Sequence, residues 1–491
     1  MLKKINHDSF GWLVVAFIAK LLLGLYLVYS ITGLFPHYNT FYIKAADTFS
    51  YLDCIDNLIQ YGSYNPFYRM PGVGVVYYFL RQLFDIDLAR TLLVMIQIFL
   101  DAYACFALSK LIYQIMQNKV AFLITFFLTV SSSYYSLYNV WLMSESICTS
   151  TLVLSVYYFY QGINREKNKN SNFLFSGFFL TWAIFCRPIY VPLIALYVLG
   201  ILYYSFRLKP IQIIKYVFIF LFPFLFFDSL WVYAGYKHTG KFYPLQHSDY
   251  EFTKESKEYT EAYITHDWKL SLFKYVQAFG GDIVDWNPDS DISWFNTNKS
   301  VKSKLQELPK YAYSKTITLD SLLEVKNNII LINSTKDPKQ IDSLSNFIDT
   351  KLMRYTEIYK NEKPIHYHLL SRIIIFKKLI VQNATYNLYG KSFSELKLYE
   401  KGVKILYLLL YYMYIVGAIL SLIFIIKDRK LRQFLPIILV AAYGLAIYPF
   451  LRLCEFRYIV PAMPFVLLLC AYTLFSIYNV IFNGKNTLSR P

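Results

Sequence analysis

The chain has 491 residues, 56% hydrophobic and 19% aromatic, and its apolar residues gather in repeated runs long enough to cross a bilayer. That pattern excludes an ordinary soluble globular domain. The net charge of +17 does not signal nucleic-acid binding, because the basic residues sit in short polar loops between apolar runs and form no groove with interleaved aromatics.

The chain starts MLKK and runs into apolar sequence from about Gly11 to Phe35. This is too long for the core of a cleaved signal peptide and lacks a small-residue cleavage site, so it reads as a retained signal anchor. The next stretch, ADTFSYLDCIDNLIQYGSYNPFYRMPG (46–72), predicts a short amphipathic helix from Asp47. Tyr51, Leu52, Ile55, Leu58 and Ile59 fall on one side, and Ser50, Asp53, Asp56, Asn57 and Gln60 largely on the other. Such a helix lies flat on a membrane surface. Asp47 stands above Tyr51, Cys54 and Leu58, which aims its carboxylate along the buried stripe, where a charge needs a partner or a task. The alternative is that Asp47 is simply the N-cap of the helix.

Apolar runs near 11–34, 90–116, 119–139, 142–162, 172–187, 189–206, 211–234, 404–426, 433–451 and 459–482 predict about ten crossings. Lys3 and Lys4, the run 164–170, Arg207 with Lys209, and the run 427–432 then share one side. The positive-inside rule makes that side cytoplasmic and puts 35–89, 235–403 and 452–458 outside. The predicted fold is an all-α polytopic membrane protein. Its parts are an N-terminal transmembrane module over 1–235 with a first outer loop at 35–89, a small extracytoplasmic soluble domain over 236–403, and C-terminal transmembrane helices over 404–491.

The segment 236–403 is rich in Lys, Asp, Glu, Ser and Asn, with helices expected around 301–325 and 339–360. It carries sequons at Asn298, Asn333 and Asn383. His366 and His368 would point the same way on a strand, but no third metal ligand is evident. NPDSDISW (287–294) has a loosely calcium-like Asp spacing without the closing glutamate. The cysteines at 54, 105, 148, 186, 454 and 470 show neither metal-knuckle nor disulfide-framework spacing, and a Cys54–Cys454 bridge is only conceivable. Lys20, in the middle of the first crossing, faces the bundle or snorkels.

Charged residues recur at the outer ends of the crossings. Glu145 opens the crossing near 142, Arg187 closes the one before Pro188, and Arg69 lies in YRMPG. Arg457 lies with Glu455 and Tyr458 just before the last crossing. Singly, each has a bland reading, as a helix-dipole partner or a snorkelling side chain. Together they suit group transfer from a lipid-linked phosphate. Guanidinium forks hold and neutralise the phosphate, and a neighbouring carboxylate takes a proton from an incoming hydroxyl.

In order and spacing, these motifs resemble the GT-C superfamily of membrane glycosyltransferases, and most nearly family 39 and the aminoarabinose-transferase-like group that uses polyprenyl-phosphate sugars. The resemblance covers most of the first 210 residues and the last crossing. ADTFSY resembles the first-loop acidic motif, with Asp47 at the catalytic position. YGSYNPFYRMPGVGVVYYFLRQLF is similar to the segment where Arg or Lys precedes a Pro-rich turn, and MSESI matches the second acidic position. FSGFFLTWAIFCRP resembles the small-residue helix ending in Arg-Pro, and FRYIVPAMP the C-terminal Arg-Tyr motif. The chain departs from the family at Thr48, where a second acid is common, and at Met70, where proline is more usual. The segment 236–403 aligns with nothing in the family.

The resemblance implies a GT-C-type bundle of about ten helices, with interfacial helices in the first outer loop, at the outer face of the cytoplasmic membrane. It implies a polyprenyl-phosphate-sugar donor with its phosphate near Arg69, Arg187, Arg457 and Tyr458. Asp47 would be the base, and Glu145 would position a glycan, lipid or protein acceptor or share its proton. No cofactor is assigned, and a divalent metal is left open. Two other classes stand beside this one: a transporter or flippase of lipid-linked glycans, and a non-catalytic glycan-assembly protein.

Overall fold

The computed structural model describes residues 10–37, 39–45, 47–62, 69–164, 168–239, 242, 244–245, 268–282, 288, 293–295, 309–381 and 388–482. Among them every regular element is helical, and the one isolated β-bridge pairs Ile43 with Trp141 in parallel. Seven helices are long and apolar enough to cross a membrane, as expected of a multi-pass membrane protein: Phe10–Thr32, Ile86–Met116, Pro188–Ser205, Pro210–Lys237, Leu398–Lys427, Leu431–Phe450 and Phe456–Phe482.

The chain divides into two compact units. The first comprises 1–252, 383–442 and 460–491, the second 253–382 and 443–459. In the first, α1 (Phe10–Thr32) leads into two short amphipathic helices, α2 (Thr48–Tyr61) and α3 (Gly74–Leu83). They are followed by α4 (Ile86–Met116) and α5 (Lys119–Ser131). The run expected to cross at 119–139 breaks after Ser131 into the one-turn helix α6 (Ser133–Ser136) and a 3-10 turn over Leu137–Asn139. An irregular strap follows, and α7 begins only at Glu145 and runs to Asn164. The helices α8 (Lys169–Cys186), α9 (Pro192–Ser205) and α10 (Pro210–Thr239) complete this half.

The helices α7 and α8 are long enough to cross a membrane but too polar to register as apolar spans. From Glu145 to Gly162 every residue of α7 except Tyr158 is buried, Ser146, Thr149, Ser150, Thr151 and Ser155 included. A helix lined by protein can carry hydroxyls that a lipid-facing helix cannot, because neighbouring carbonyls accept their protons. Ser155 and Ser176 exchange such bonds between α7 and α8 at 2.9 and 3.0 Å. By contrast α10 exposes Phe218, Phe222, Phe226 and Leu230.

The second unit packs α11 (Trp268–Phe279), α12 (Leu319–Ser334) and α13 (Pro338–Glu362) around their own core, in which Leu272, Tyr275, Leu352 and Tyr359 are fully buried, and α14 (Ser371–Val381) follows. The helices expected at 301–325 and 339–360 thus take the bounds 319–334 and 338–362, with 301–308 outside the described residues. His366 and His368 lie on a π-helical turn (His366–Leu370), not on a strand. His366 Nε2 meets the carbonyl of Phe279 at 3.1 Å, and its half-buried ring stacks on Tyr311, so it packs at the edge of that core. Asn333 sits in α12, while Asn298, Asn383 and most of 287–294 lie outside the described residues. The remaining helices are α15 (Leu398–Lys427), α16 (Leu431–Phe450), the one-turn α17 (Phe456–Ile459) and α18 (Met463–Phe482). All six cysteines are buried and none is in a disulfide, so Cys54 and Cys454 are not bridged.

Helix approach in the first unit relies on a glycine. A Cβ on Gly177 of α8 would lie 2.0 Å from the carbonyl oxygen of Phe220 on α10. Gly177→Ala should therefore destabilise the bundle by about 1–3 kcal/mol, the usual range for overpacking. Gly402→Ala, where a Cβ meets nothing within 4 Å, should be neutral or slightly stabilising. Thermal midpoints of the two variants in detergent make the comparison.

Candidate functional site

The site is built on the strap that precedes α7. Ile43 N–H donates to the carbonyl of Val140 at 2.7 Å, and Leu142 N–H donates back to Ile43 at 3.0 Å. The α2 helix then starts against the same strap. The Thr48 hydroxyl accepts from Ala45 N–H at 2.8 Å and donates to the carbonyl of Leu142 at 3.1 Å. Thr48, which stands where a second acid was expected, therefore ties α2 to the strap.

Asp47 occupies the N-cap position of α2, but its side chain makes no capping bond there. The carboxylate, about a quarter exposed, faces Arg69 at 3.3 Å. The cap alternative is thus replaced by an ion pair at the rim of the buried stripe. Arg69 Nε also donates to Ser50 Oγ at 2.9 Å, and the guanidinium lies 4.4 Å from the centre of the Tyr51 ring in a cation–π contact. Ser50, expected on the polar side, is buried beneath this arginine.

Three residues after Arg69, the chain is stitched to the end of α8. Gly72 N–H donates to the carbonyl of Phe185 at 3.1 Å, and the Trp182 indole donates to the carbonyl of Gly72 at 2.9 Å. A Cβ on Gly72 would stand 2.5 Å from the backbone of Phe185 and Cys186, so only glycine fits. Arg187 follows directly and forms an ion pair with Glu145, whose side chain is fully buried at the first turn of α7. The two ion pairs are linked, because the Tyr51 hydroxyl lies 3.1 Å from Ser144 Oγ, next in sequence to Glu145.

Four of the six residues singled out from sequence, Asp47, Arg69, Glu145 and Arg187, thus meet in the first unit. Arg457 and Tyr458 belong to the second unit, where Arg457 pairs with Glu455 and the Tyr458 hydroxyl donates to the same carboxylate at 3.2 Å. Burial pushes the Tyr51 phenol above its ordinary pKa against the opposing charge of Arg69, so Tyr51 serves as a neutral link. Glu145 raises it too, while Arg187 and the Ser144 hydrogen bond lower it.

Sequence reasoning missed the linking pair Tyr51 and Ser144, and two further ionic groups. Asp56 accepts from Tyr77 at 3.1 Å, Arg81 at 2.7 Å and Arg90 at 3.3 Å, which docks α2 on α3 and α4. Lys20 and Asp101 form a fully buried ion pair at 3.2 Å between α1 and α4. Opposite charges in the middle of two apolar runs were the signal for that second group. The donor set does not fit a divalent cation: Arg69 occupies Asp47, Thr48 replaces a second acid, and no three His, Cys, Asp or Glu among the described residues gather to hold one.

In comparisons with known proteins, no family model matches this chain, and no curated protein and no solved structure matches it.

Two expectations follow from this geometry. Arg187→Met removes the cation from a buried carboxylate and should cost about 3–5 kcal/mol of stability, whereas Glu145→Gln with Arg187→Met should recover much of it. Thermal unfolding in detergent reads both. Burial also pushes the Cys54 thiol up to about 12, so at pH 8 it stays protonated in the folded protein. Maleimide should label Cys54 only after denaturation; rapid labelling of the native protein would contradict its buried position.

Proposed function

We propose that the first unit is the transfer module of a membrane glycosyltransferase. In this reading it moves a sugar from a polyprenyl-phosphate donor to an acceptor hydroxyl or phosphate at the outer face of the cytoplasmic membrane, within a GT-C-type arrangement of about ten helices. The observation that supports it is the convergence of two carboxylate–guanidinium pairs, Asp47–Arg69 and Glu145–Arg187, joined through Tyr51 and Ser144. A base for the acceptor and two cations for a leaving phosphate are what such a displacement requires.

The two carboxylates divide the work by exposure. Asp47, at 27% side-chain exposure, can reach an acceptor, while Glu145, at 0%, cannot. Asp47 takes the acceptor proton as the new bond forms at the anomeric carbon, and the bond from that carbon to the phosphate oxygen breaks. Arg69 and Arg187 neutralise the departing phosphate. A donor phosphate that draws Arg69 away from Asp47 also frees the base. Glu145 orients Arg187, a role narrower than positioning the acceptor. No step runs through a metal.

The test uses the purified full chain in detergent with a sugar-labelled polyprenyl phosphate. Asp47→Asn should lower transfer by about 10²–10⁴-fold at equal protein, the usual contribution of a positioned base. Near-normal transfer by that variant would refute the assignment of Asp47. A flippase would leave the label on the donor lipid, and a non-catalytic assembly protein would support surface glycan formation without either carboxylate. Mass spectrometry of surface glycans and glycolipids after deletion of the gene names the sugar and acceptor.

A further inference from the structure

The buried Lys20–Asp101 pair has no part in the displacement just described, yet it lies among groups that lead directly to the site. Lys20 Nζ donates to the carbonyl of Thr129 at 2.8 Å and to Ser136 Oγ, and it pairs with Asp101 Oδ2. The same oxygen of Asp101 accepts from Ser136 Oγ at 3.0 Å and from Asn139 Nδ2 at 2.6 Å. Asn139 Oδ1 in turn accepts from Ser146 Oγ at 2.7 Å. One turn before Asp101 on α4, Gln97 Nε2 donates to the carbonyls of Asn139 and Trp141 at 2.8 and 3.1 Å. These side chains therefore fix the 136–146 segment from one side. From the other side it receives Ile43, Thr48 and Tyr51. Ser146 is the neighbour of Glu145, and Thr48 is the neighbour of Asp47.

An ion pair at this depth is a poor stabiliser in itself, since apolar side chains of similar volume serve the fold as well or better. What it supplies is direction. Lys20 and Asp101 present fixed donors and acceptors to the one-turn helix and 3-10 turn that lead into the strap, whose polar groups would otherwise have several ways of pairing. We propose that Lys20 and Asp101 are positioning residues: through Ser136 and Asn139 they set the register of the strap, and so the placement of Asp47 relative to Glu145. The catalytic half of this inference rests on the transferase reading above, and the geometric half does not.

The test is the paired apolar replacement Lys20→Met with Asp101→Leu in the full chain, with Asp101→Asn alone as the comparison that leaves Lys20 without its carboxylate. Hydrogen exchange in detergent reads the amides of Ile43 and Leu142, which bond across the strap. The paired variant should retain the parent thermal midpoint. Its two strap amides should exchange about tenfold faster or more, because the local opening free energy falls. Its kcat for sugar transfer should fall by up to about 10²-fold, the scale of an ångström misplacement, with KM little changed. Asp101→Asn should unfold at lower temperature than either. Protection that survives the paired swap, or full turnover from a loosened strap, overturns the proposal. So does a paired variant that fails to fold, since the pair would then hold the fold rather than aim the strap. If the parent transfers no sugar, the transferase reading fails, and the exchange measurement alone still decides whether the pair positions the strap.

Discussion

A carboxylate removed from water must be met by a cation or by several hydrogen-bond donors, and two such carboxylates govern the first unit. Glu145 stands at the start of α7 with no exposed surface, and Arg187 comes to it from the end of α8. Asp101 is equally buried in α4, and Lys20 reaches it from α1. The first pair joins the consecutive helices α7 and α8, and the second joins α1 to α4 across the whole first outer loop. Between them, the pairs bind α1, α4, α7 and α8 with charge as well as apolar contact. Leaving either acid without its cation is costly, so the relative placement of these helices is narrowly constrained.

The segment from Leu137 to Ser144 is where that constraint meets the site. It leaves α-helical geometry, first for a 3-10 turn and then for an irregular strap, which frees carbonyls and amides that a protein of apolar helices must satisfy internally. The carbonyls of Asn139 and Trp141 go to Gln97, that of Val140 to Ile43, and that of Leu142 to Thr48. Irregular backbone is thereby turned into an attachment point for α2. Gly72 plays the matching role opposite, where the absence of a side chain lets the Arg69 segment lie directly on Phe185 and Cys186.

The second unit rests on an independent hydrophobic core and holds its charged residues differently. Arg452 lies 3.9 Å from the centre of the Tyr367 ring and donates to that residue's carbonyl at 2.8 Å. Arg457, Glu455 and Tyr458 satisfy one another, with the Tyr458 ring stacked on Tyr448. The Arg457 arrangement is local in sequence, whereas Arg452 reaches Tyr367 from 85 positions away.

The sequence by itself determined the membrane class, because runs of about twenty apolar residues have no other stable use in such number. Of the ten crossings it marked, seven correspond to helices among the described residues that are long and apolar enough to cross, and the amphipathic α2 was legible from its period. It also picked out Asp47, Arg69, Glu145 and Arg187, since charges beside apolar runs are conspicuous. It did not determine pairing. Lys20 and Asp101 were both visible, but their contact depends on how α1 and α4 cross, which no local pattern encodes. Nor could it show that the run at 119–139 breaks and that α7 begins at the buried Glu145, because apolarity continues through the strap while the hydrogen bonding changes. Only the tertiary structure decided that Thr48 and Ser50 face inward, for their surroundings come from residues about ninety and about twenty positions away. Distant partners set which polar groups are satisfied, and that selects the geometry of the site.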